Sequence, residues 1–285
     1  MNIDINAFLQ ATPRLESLEL IRFRVNPSPA QATPTNLPHL TRLAMRNVEY
    51  GQLFALFTFP SLSNLSIDPV EDQEPVKIIW GKLHVPPVTT VKIECLARRH
   101  EKISITGSNE ERTHSFSLTE RSTEARTALM IRSLCDTPLA SVTTLSVGRG
   151  VPELGVQLTS APICDLIAAL PHLRRLDLFP TKLTAVVTEY LQNNPLVCPE
   201  LRILSLAVVG KTHEEVFWSL SGLAADRAKA KRWLHRIDCV VLRGGGNAQE
   251  TAEHWESMTG LFGFGDLVRC NCGEGVRQTW VQLCL

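Results

Sequence analysis

The sequence predicts an α/β fold: strand–turn–helix units stacked into an irregular solenoid, with a curved parallel sheet inside and helices outside. Three observations predict it. A unit of the form apolar-x-x-apolar-x-apolar recurs nine times along the 285 residues. Helical spacing fills several of the intervals between units. The chain has 39 leucines against 2 tyrosines, and at least sixteen of those leucines occupy the recurring positions.

The units follow in chain order. Pro13-Arg14-Leu15 leads to Leu18 and Leu20, and Pro38-His39-Leu40 to Leu43 and Met45. Pro60-Ser61-Leu62 leads to Leu65 and Ile67, and Pro86-Pro87-Val88 to Val91 and Ile93. Pro171-His172-Leu173 leads to Leu176 and Leu178, and Pro199-Glu200-Leu201 to Leu204 and Leu206. Three copies lack the proline: Thr113, Phe116, Leu118; Val142, Leu145, Val147; and Ile237, Val240, Leu242. Their first positions lie 22 to 36 residues apart. The last two apolar positions of each unit are two residues apart, the period of a strand with one buried face. The proline fits just before a strand because it has no ladder N–H to offer.

Between strands, Ile163–Leu170 and Leu183–Gln192 carry apolar residues at helical spacing. Thr212 to Glu215 forms a capping box that opens a helix running past Leu223, and Asn247 to Glu250 repeats the device. Lys102–Thr106 and His114–Leu118 alternate like strands around Gly107–Glu111, which reads as a hairpin or longer loop. Asn26–Pro38 holds four prolines and reads as an exposed loop. The expected organisation is one domain: a solenoid of about nine units over 1–246 and a helical or irregular cap over 247–285.

Composition narrows the function classes. Lys+Arg and Asp+Glu are both 29, so no polybasic arm or acidic tail dominates. Met1–Gln10 lacks the positive n-region of a secretory signal. Tyr50–Ile67, the longest leucine-bearing stretch without a charge, is broken by polar residues and Pro60; it reads as helix, turn and strand. The 8 cysteines are mostly isolated among apolar residues, as reduced core thiols would be. The expected location is cytoplasmic or nuclear, without a membrane.

The nine units resemble leucine-rich repeats, and the resemblance covers Leu15 to Leu242. The consensus Asn or Cys three residues after the last leucine is replaced by Phe23, Val48, Val70, Leu96, Arg121, Gly150, Thr181, Val209 and Gly245. Irregular unit length, P-x-L lead-ins and the absent asparagine ladder look most like the repeat regions of F-box/leucine-rich-repeat-like proteins, numerous in fungi. That resemblance implies a protein–protein interaction module: substrate recognition for an SCF-type ubiquitin ligase. The first repeat helix is expected near Asp4, which leaves no room for an F-box, so a link to the ligase adaptor requires an F-box supplied elsewhere.

Other chemistries are weaker. Gly210-Lys211-Thr212 has Ser205 where a P-loop needs glycine, and Arg243-Gly244-Gly245-Gly246-Asn247 has Gln249 where a dinucleotide motif needs glycine. A phosphate- or nucleotide-binding enzyme is therefore the least favoured reading. Cys270, Cys272, Cys284 and His254 lack the paired spacing of a structural zinc site. Arg227, Lys229, Lys231, Arg232 and Arg236 form a basic helix end over 227–236 that a nucleic-acid-associated repeat protein would use, with Trp233 as its one aromatic. Nucleic acid is disfavoured as a partner. No G-x-S-x-G or H-E-x-x-H occurs, and neither a catalytic residue, a cofactor nor a metal is expected.

The favoured site is the inner sheet face. With Leu18 and Leu20 inward to the core, Glu19 and Ile21 face the concave side. The row continues through Ala44 and Arg46, Ser66 and Asp68, Lys92 and Glu94, Ser117 and Thr119, Ser146 and Gly148, Asp177 and Phe179, Ser205 and Ala207, and Val241 and Arg243. The expected protein-binding residues are Glu19, Arg46, Asp68, Lys92, Glu94, Asp177, Phe179 and Arg243. Arg46, Phe179 and Arg243 are the natural anchors, because interfaces favour aromatics and arginine.

Overall fold

A computed structural model describes residues 8–9, 11–22, 35–46, 54, 56–68, 80, 83–96, 102–110, 115–121, 124–137, 139–148, 160–179, 181–209, 213–231, 234, 236–242, 268–273 and 276–284. The fold is mixed α/β, built on one large, mostly parallel sheet. Its strands are β1 (Ser17–Ile21), β3 (Arg42–Arg46), β5 (Asn64–Asp68), β6 (Thr90–Leu96), β7 (Lys102–Ser108), β8 (Ser115–Arg121), β9 (Thr144–Val147), β10 (Arg175–Leu178), β11 (Ile203–Val209), β12 (Arg236–Leu242), β13 (Val268–Gly273) and β14 (Val276–Cys284). A separate parallel pair joins β2 (Thr35–Asn36) to β4 (Phe57–Thr58). Four helices follow the later strands: α1 (Glu124–Leu134), α2 (Ser160–Ala168), α3 (Thr181–Asn193) and α4 (His213–Lys229).

All nine repeat units supply a strand of this sheet, and all nine strands run the same way. Their order in space is not their order in sequence. The sheet runs β1-β3-β5-β8-β7-β6-β9-β10-β11-β12-β14-β13. β6, β7 and β8 form an antiparallel meander laid down backwards, so β8 sits against β5 and β6 against β9. The alternating segments around Gly107 are indeed a hairpin, but Gly107 lies inside β7, opposite Phe116. A Cβ at Gly107 would come within 2.1 Å of the Phe116 ring, so only glycine fits there. Trp80 meets this ring edge-on at 6.0 Å and donates Nε1–H to the carbonyl of Met130 in α1 at 3.2 Å.

The lead-in sequence has a sharper cause than a missing ladder donor. In six units the N–H of the first apolar residue bonds the carbonyl three residues earlier: Leu15 to Thr12, Leu40 to Leu37, Leu62 to Phe59, Val142 to Leu139, Leu173 to Leu170 and Leu201 to Cys198. In five of the six proline-led units the proline is therefore the second residue of a β-turn, where its fixed φ is pre-set. After each turn comes a second recurring device. The carbonyl of Glu16 accepts from the N–H groups of both Thr41 and Arg42. Thr41 does the same for Ser63 and Asn64, Thr89 for Thr143 and Thr144, Thr143 for Arg174 and Arg175, and Arg174 for Arg202 and Ile203. Five units thus seat their neighbour in the sheet at one backbone position, a device that needs no side chain.

One unit is corrected by its register. Leu204 pairs with Ile237 and Leu206 with Cys239. The ninth unit is Leu234, Ile237, Cys239, not Ile237, Val240, Leu242, and Leu234 is buried as a first position should be. In β12 the register partners of Ser205, Ala207 and Val209 are Asp238, Val240 and Leu242. Where the sequence reads a helical or irregular cap after residue 246, β14 adds antiparallel to β12, and β13 pairs with β14.

The core is continuous. It joins the fourth- and sixth-position side chains of the units to Ile163, Leu166 and Ile167 of α2, Leu183, Val187 and Leu191 of α3, and Leu220 and Leu223 of α4. In the N-terminal third, Phe59 meets Phe54 edge-to-face with ring centroids 6.2 Å apart and stacks on Phe57 at 6.3 Å, all three in the core.

Candidate functional site

The candidate surface is the sheet face turned away from the leucine core. Register places its residues in rows across the strands. Lys92 of β6 pairs with Ser146 of β9, Ser146 with Asp177 of β10, Asp177 with Ser205 of β11, and Ser205 with Asp238 of β12. On the other side of Lys92 the row passes to Thr106, Ser117, Asn64, Arg42 and Ser17.

At the N-terminal end the face is open. Glu19 and Arg46 are exposed and form an ion pair of 3.1 Å between β1 and β3. Arg46 is also the register partner of Asp68, whose side chain lies outside the description. In the middle, Lys92 and Glu94 are half-buried on β6. Glu94 is the partner of Ser104, and Ser104 hydroxyl accepts from Thr119 at 3.4 Å.

At β9–β11 the same face is closed. Ser146, Asp177 and Ser205 are 4%, 5% and 2% exposed. The Asp177 carboxylate receives the Arg175 Nε–H on both oxygens, at 2.9 and 3.1 Å. Arg175 was absent from the expected row, although the two-residue period of a strand puts it on the same face as Asp177. Phe179, just past the end of β10, is half-buried and donates its N–H to Val147 at 3.0 Å. Gly148, with φ of 78°, donates to Ile93 at 2.7 Å. Arg243 lies outside the described residues, as do Gly210–Thr212 and Gly244–Asn247. The register of β12 pairs Val240, not the expected row member Val241, with Ala207.

The rim where strands begin carries a second polar set. Glu200 in the turn of the eighth unit accepts from Arg174 at 3.0 Å and lies 2.8 Å from His172 Nδ1 in the turn of the seventh. The bonds from His172 and Arg174 hold its carboxyl below the usual glutamate value.

The basic helix end divides. Arg227 is fully buried and donates to the carbonyls of Val197 at 3.3 Å and Cys198 at 2.6 Å, so it is a structural tie between α4 and the turn before β11. Cys198 adopts a positive φ of 47° there. Lys229 is exposed and pairs with Asp226 at 3.1 Å. The tie was invisible in sequence because Arg227 sits in a run of solvated lysines, and its acceptors lie about thirty residues earlier.

Cys135, Cys164 and Cys198 are free thiols. Burial pushes the Cys164 thiol up to about 11 and Cys198 to about 12, against the pull of the Arg227 charge on Cys198. Such thiols are poor nucleophiles. Of the four candidate zinc ligands, Cys270 pairs with Thr279 and Cys284 with Arg236. Five residues of β14 separate those two levels, roughly 17 Å of strand. Backbone register therefore holds Cys284 away from Cys270 and Cys272, and His254 lies outside the description. Among the described residues no helix is long and apolar enough to cross a membrane. No protein-family model, curated protein or solved structure matches the chain.

Proposed function

We propose that this chain is a non-enzymatic protein-interaction module, an irregular leucine-rich-repeat solenoid whose inner sheet face binds a protein partner in the cytosol or nucleus. One observation carries the reading: nine repeat strands of one direction share a polar face with charges of both signs, from Glu19 and Arg46 through Lys92 and Glu94 to Arg175 and Asp177. A balanced face favours a protein over a polyanion, because a nucleic-acid surface concentrates positive charge. The F-box resemblance extends the proposal to substrate recognition for an SCF-type ubiquitin ligase, with the F-box supplied elsewhere.

The test is affinity capture with mass spectrometry from matched lysates. Wild type recovers a defined partner, and a Glu19→Lys, Arg46→Glu, Lys92→Glu variant that remains folded loses it. Retention of every partner by that variant overturns the surface assignment. The nucleic-acid reading, already weakened by the inward Arg227, would instead show salt-sensitive RNA or DNA capture that survives those changes.

A further inference from the structure

The sheet ends at β1, which among the described residues pairs with β3 alone. In the parallel ladder between them, Arg42 donates its N–H to Glu16, and Arg46 accepts from Arg22. That phase turns the main-chain groups of Leu18 and Leu20 toward β3. The N–H and C=O of Ser17, Glu19 and Ile21 therefore point to the open edge. The recurring seat lacks a neighbour here too. Five units place the two N–H groups after their first apolar residue on one carbonyl of an adjacent unit. The same two groups of the first unit, the N–H of Glu16 and of Ser17, have no acceptor among the described residues. The core shows the same gap: Leu18 and Leu20 are 9% and 7% exposed, against 0–2% at the matching positions of the next three units. β1 has neither the proline nor the lysine that guards many edge strands, and Ile21 is 57% exposed beside the edge.

These facts define the occupant. Every pair of units joined by the double seat is parallel, so a strand that takes up the N–H of Glu16 and of Ser17 on one carbonyl runs parallel to β1. Apolar residues two apart on that strand complete the cover over Leu18 and Leu20. Glu19 is half exposed and holds Arg46 on Oε1 at 3.1 Å, on the β3 side, so a cation of the incoming strand meets its free side. A second copy of the chain fits poorly. Full antiparallel overlap of two β1 strands sets Glu19 opposite Glu19, and like charges directly opposed are destabilising. At the other end of the sheet the last repeat strand, β12, is covered by antiparallel β14, so a copy has no free repeat carbonyl to offer.

We propose that the outer edge of β1 takes up an extended segment of a protein partner as a further parallel strand, one with apolar residues two apart and a lysine or arginine between them. The inference goes beyond the inner-face reading and does not rest on it, because main-chain groups at the edge carry it.

The experiment uses the purified full chain and, as probe, a fluorescent synthetic peptide of residues 86–94, which has this pattern with Lys92 between Val91 and Ile93. Fluorescence anisotropy detects its binding; no binding at millimolar concentration overturns the proposal. The same peptide N-methylated at Val91 and Ile93, whose N–H groups meet β1 in the proposed pairing, binds about tenfold more weakly. Ser17→Pro in the chain removes an edge N–H that does not face β3, and weakens the unmodified peptide to a similar degree. Undiminished binding in either case overturns the proposal, and the methylated peptide decides even where Ser17→Pro fails to fold. Lys92→Glu in the peptide weakens binding about threefold, and Glu19→Lys in the chain reverses that preference; an unchanged preference overturns the place given to the cation. In the free chain the amides of Ser17, Glu19 and Ile21 exchange with solvent faster than those of Leu18 and Leu20, and the peptide slows them. Equal protection in the free chain means that the edge is already covered, and overturns the proposal. Self-association that Ser17→Pro abolishes makes the occupant a second copy, and overturns it as well.

Discussion

The two ends of the sheet bury their strands differently. β1 alternates strictly, with Leu18 and Leu20 inward and Ser17, Glu19 and Ile21 in solvent, and β3 follows the same pattern. In β9 and β10, Leu145, Ser146 and Val147, and Leu176, Asp177 and Leu178, are buried without alternation. Behind the later units the core is completed by α2, α3 and α4. One repeat unit thus supports an open half and a closed half. The apolar pattern sets the side facing the core, and local neighbours set how far the other side is sheltered.

The largest expected effect breaks or upholds this contrast. Leu176→Ala, at a fully buried site under the helices, should cost about 3–5 kcal/mol, and Leu20→Ala on the edge strand roughly half of that. Urea unfolding of both variants measures the difference, and equal costs would mean that the two halves are packed alike. Next, Arg227→Ala strands the carbonyls of Val197 and Cys198 in the closed half and should cost about 2–3 kcal/mol. If Arg227 were merely one of a solvated basic cluster, the loss by thermal unfolding would be negligible.

The boundary between the halves is probed by Gly107→Ala. The new methyl group drives into the Phe116 ring and should cost about 1–3 kcal/mol. Phe116→Leu in the same chain should recover part of it, a non-additivity visible in a double-mutant cycle. The smallest effect lies at the rim. Glu200 has a lowered carboxyl, so its contribution is present above the ordinary value of 4.5 and lost as pH falls through the folded value. Glu200→Gln should therefore reduce stability near neutrality, and the gap to wild type should close below pH 4.5. A gap that persists at acid pH would remove the ionic account of this contact.

Much of the fold was readable because its decisive signals are local. Pro38-His39-Leu40 and its equivalents specify a turn and the strand that follows it within eight residues. The register of β12 was not readable: Val240, Val241 and Leu242 are apolar in succession, so alternation does not choose a face, and Leu234 has no proline ahead of it. Nor was the backward placement of β6–β8, because strand order depends on which edges meet in space and all nine strands show the same face pattern. At the site, Glu19 and Arg46 were found from alternation alone. Arg175 precedes the core leucines of its unit, outside the positions between and after them that define the expected row. The burial of Asp177 was beyond sequence, since it depends on what surrounds three separate strands.

The reversed meander has a consequence for the nascent chain. Strand β5 has only one neighbour among residues synthesised before it, β3, and its second, β8, is about fifty residues further on. Until then the edge of β5 offers unpaired N–H and carbonyl groups, and β6, although made earlier than β8, must not take that place. Because β6 and β8 run in the same direction and display the same face, β6 is a credible wrong guest on β5. The step from β5 to β8 is thus a kinetic choice between two competing edges, the point during biosynthesis at which a chaperone that binds exposed strands would matter most.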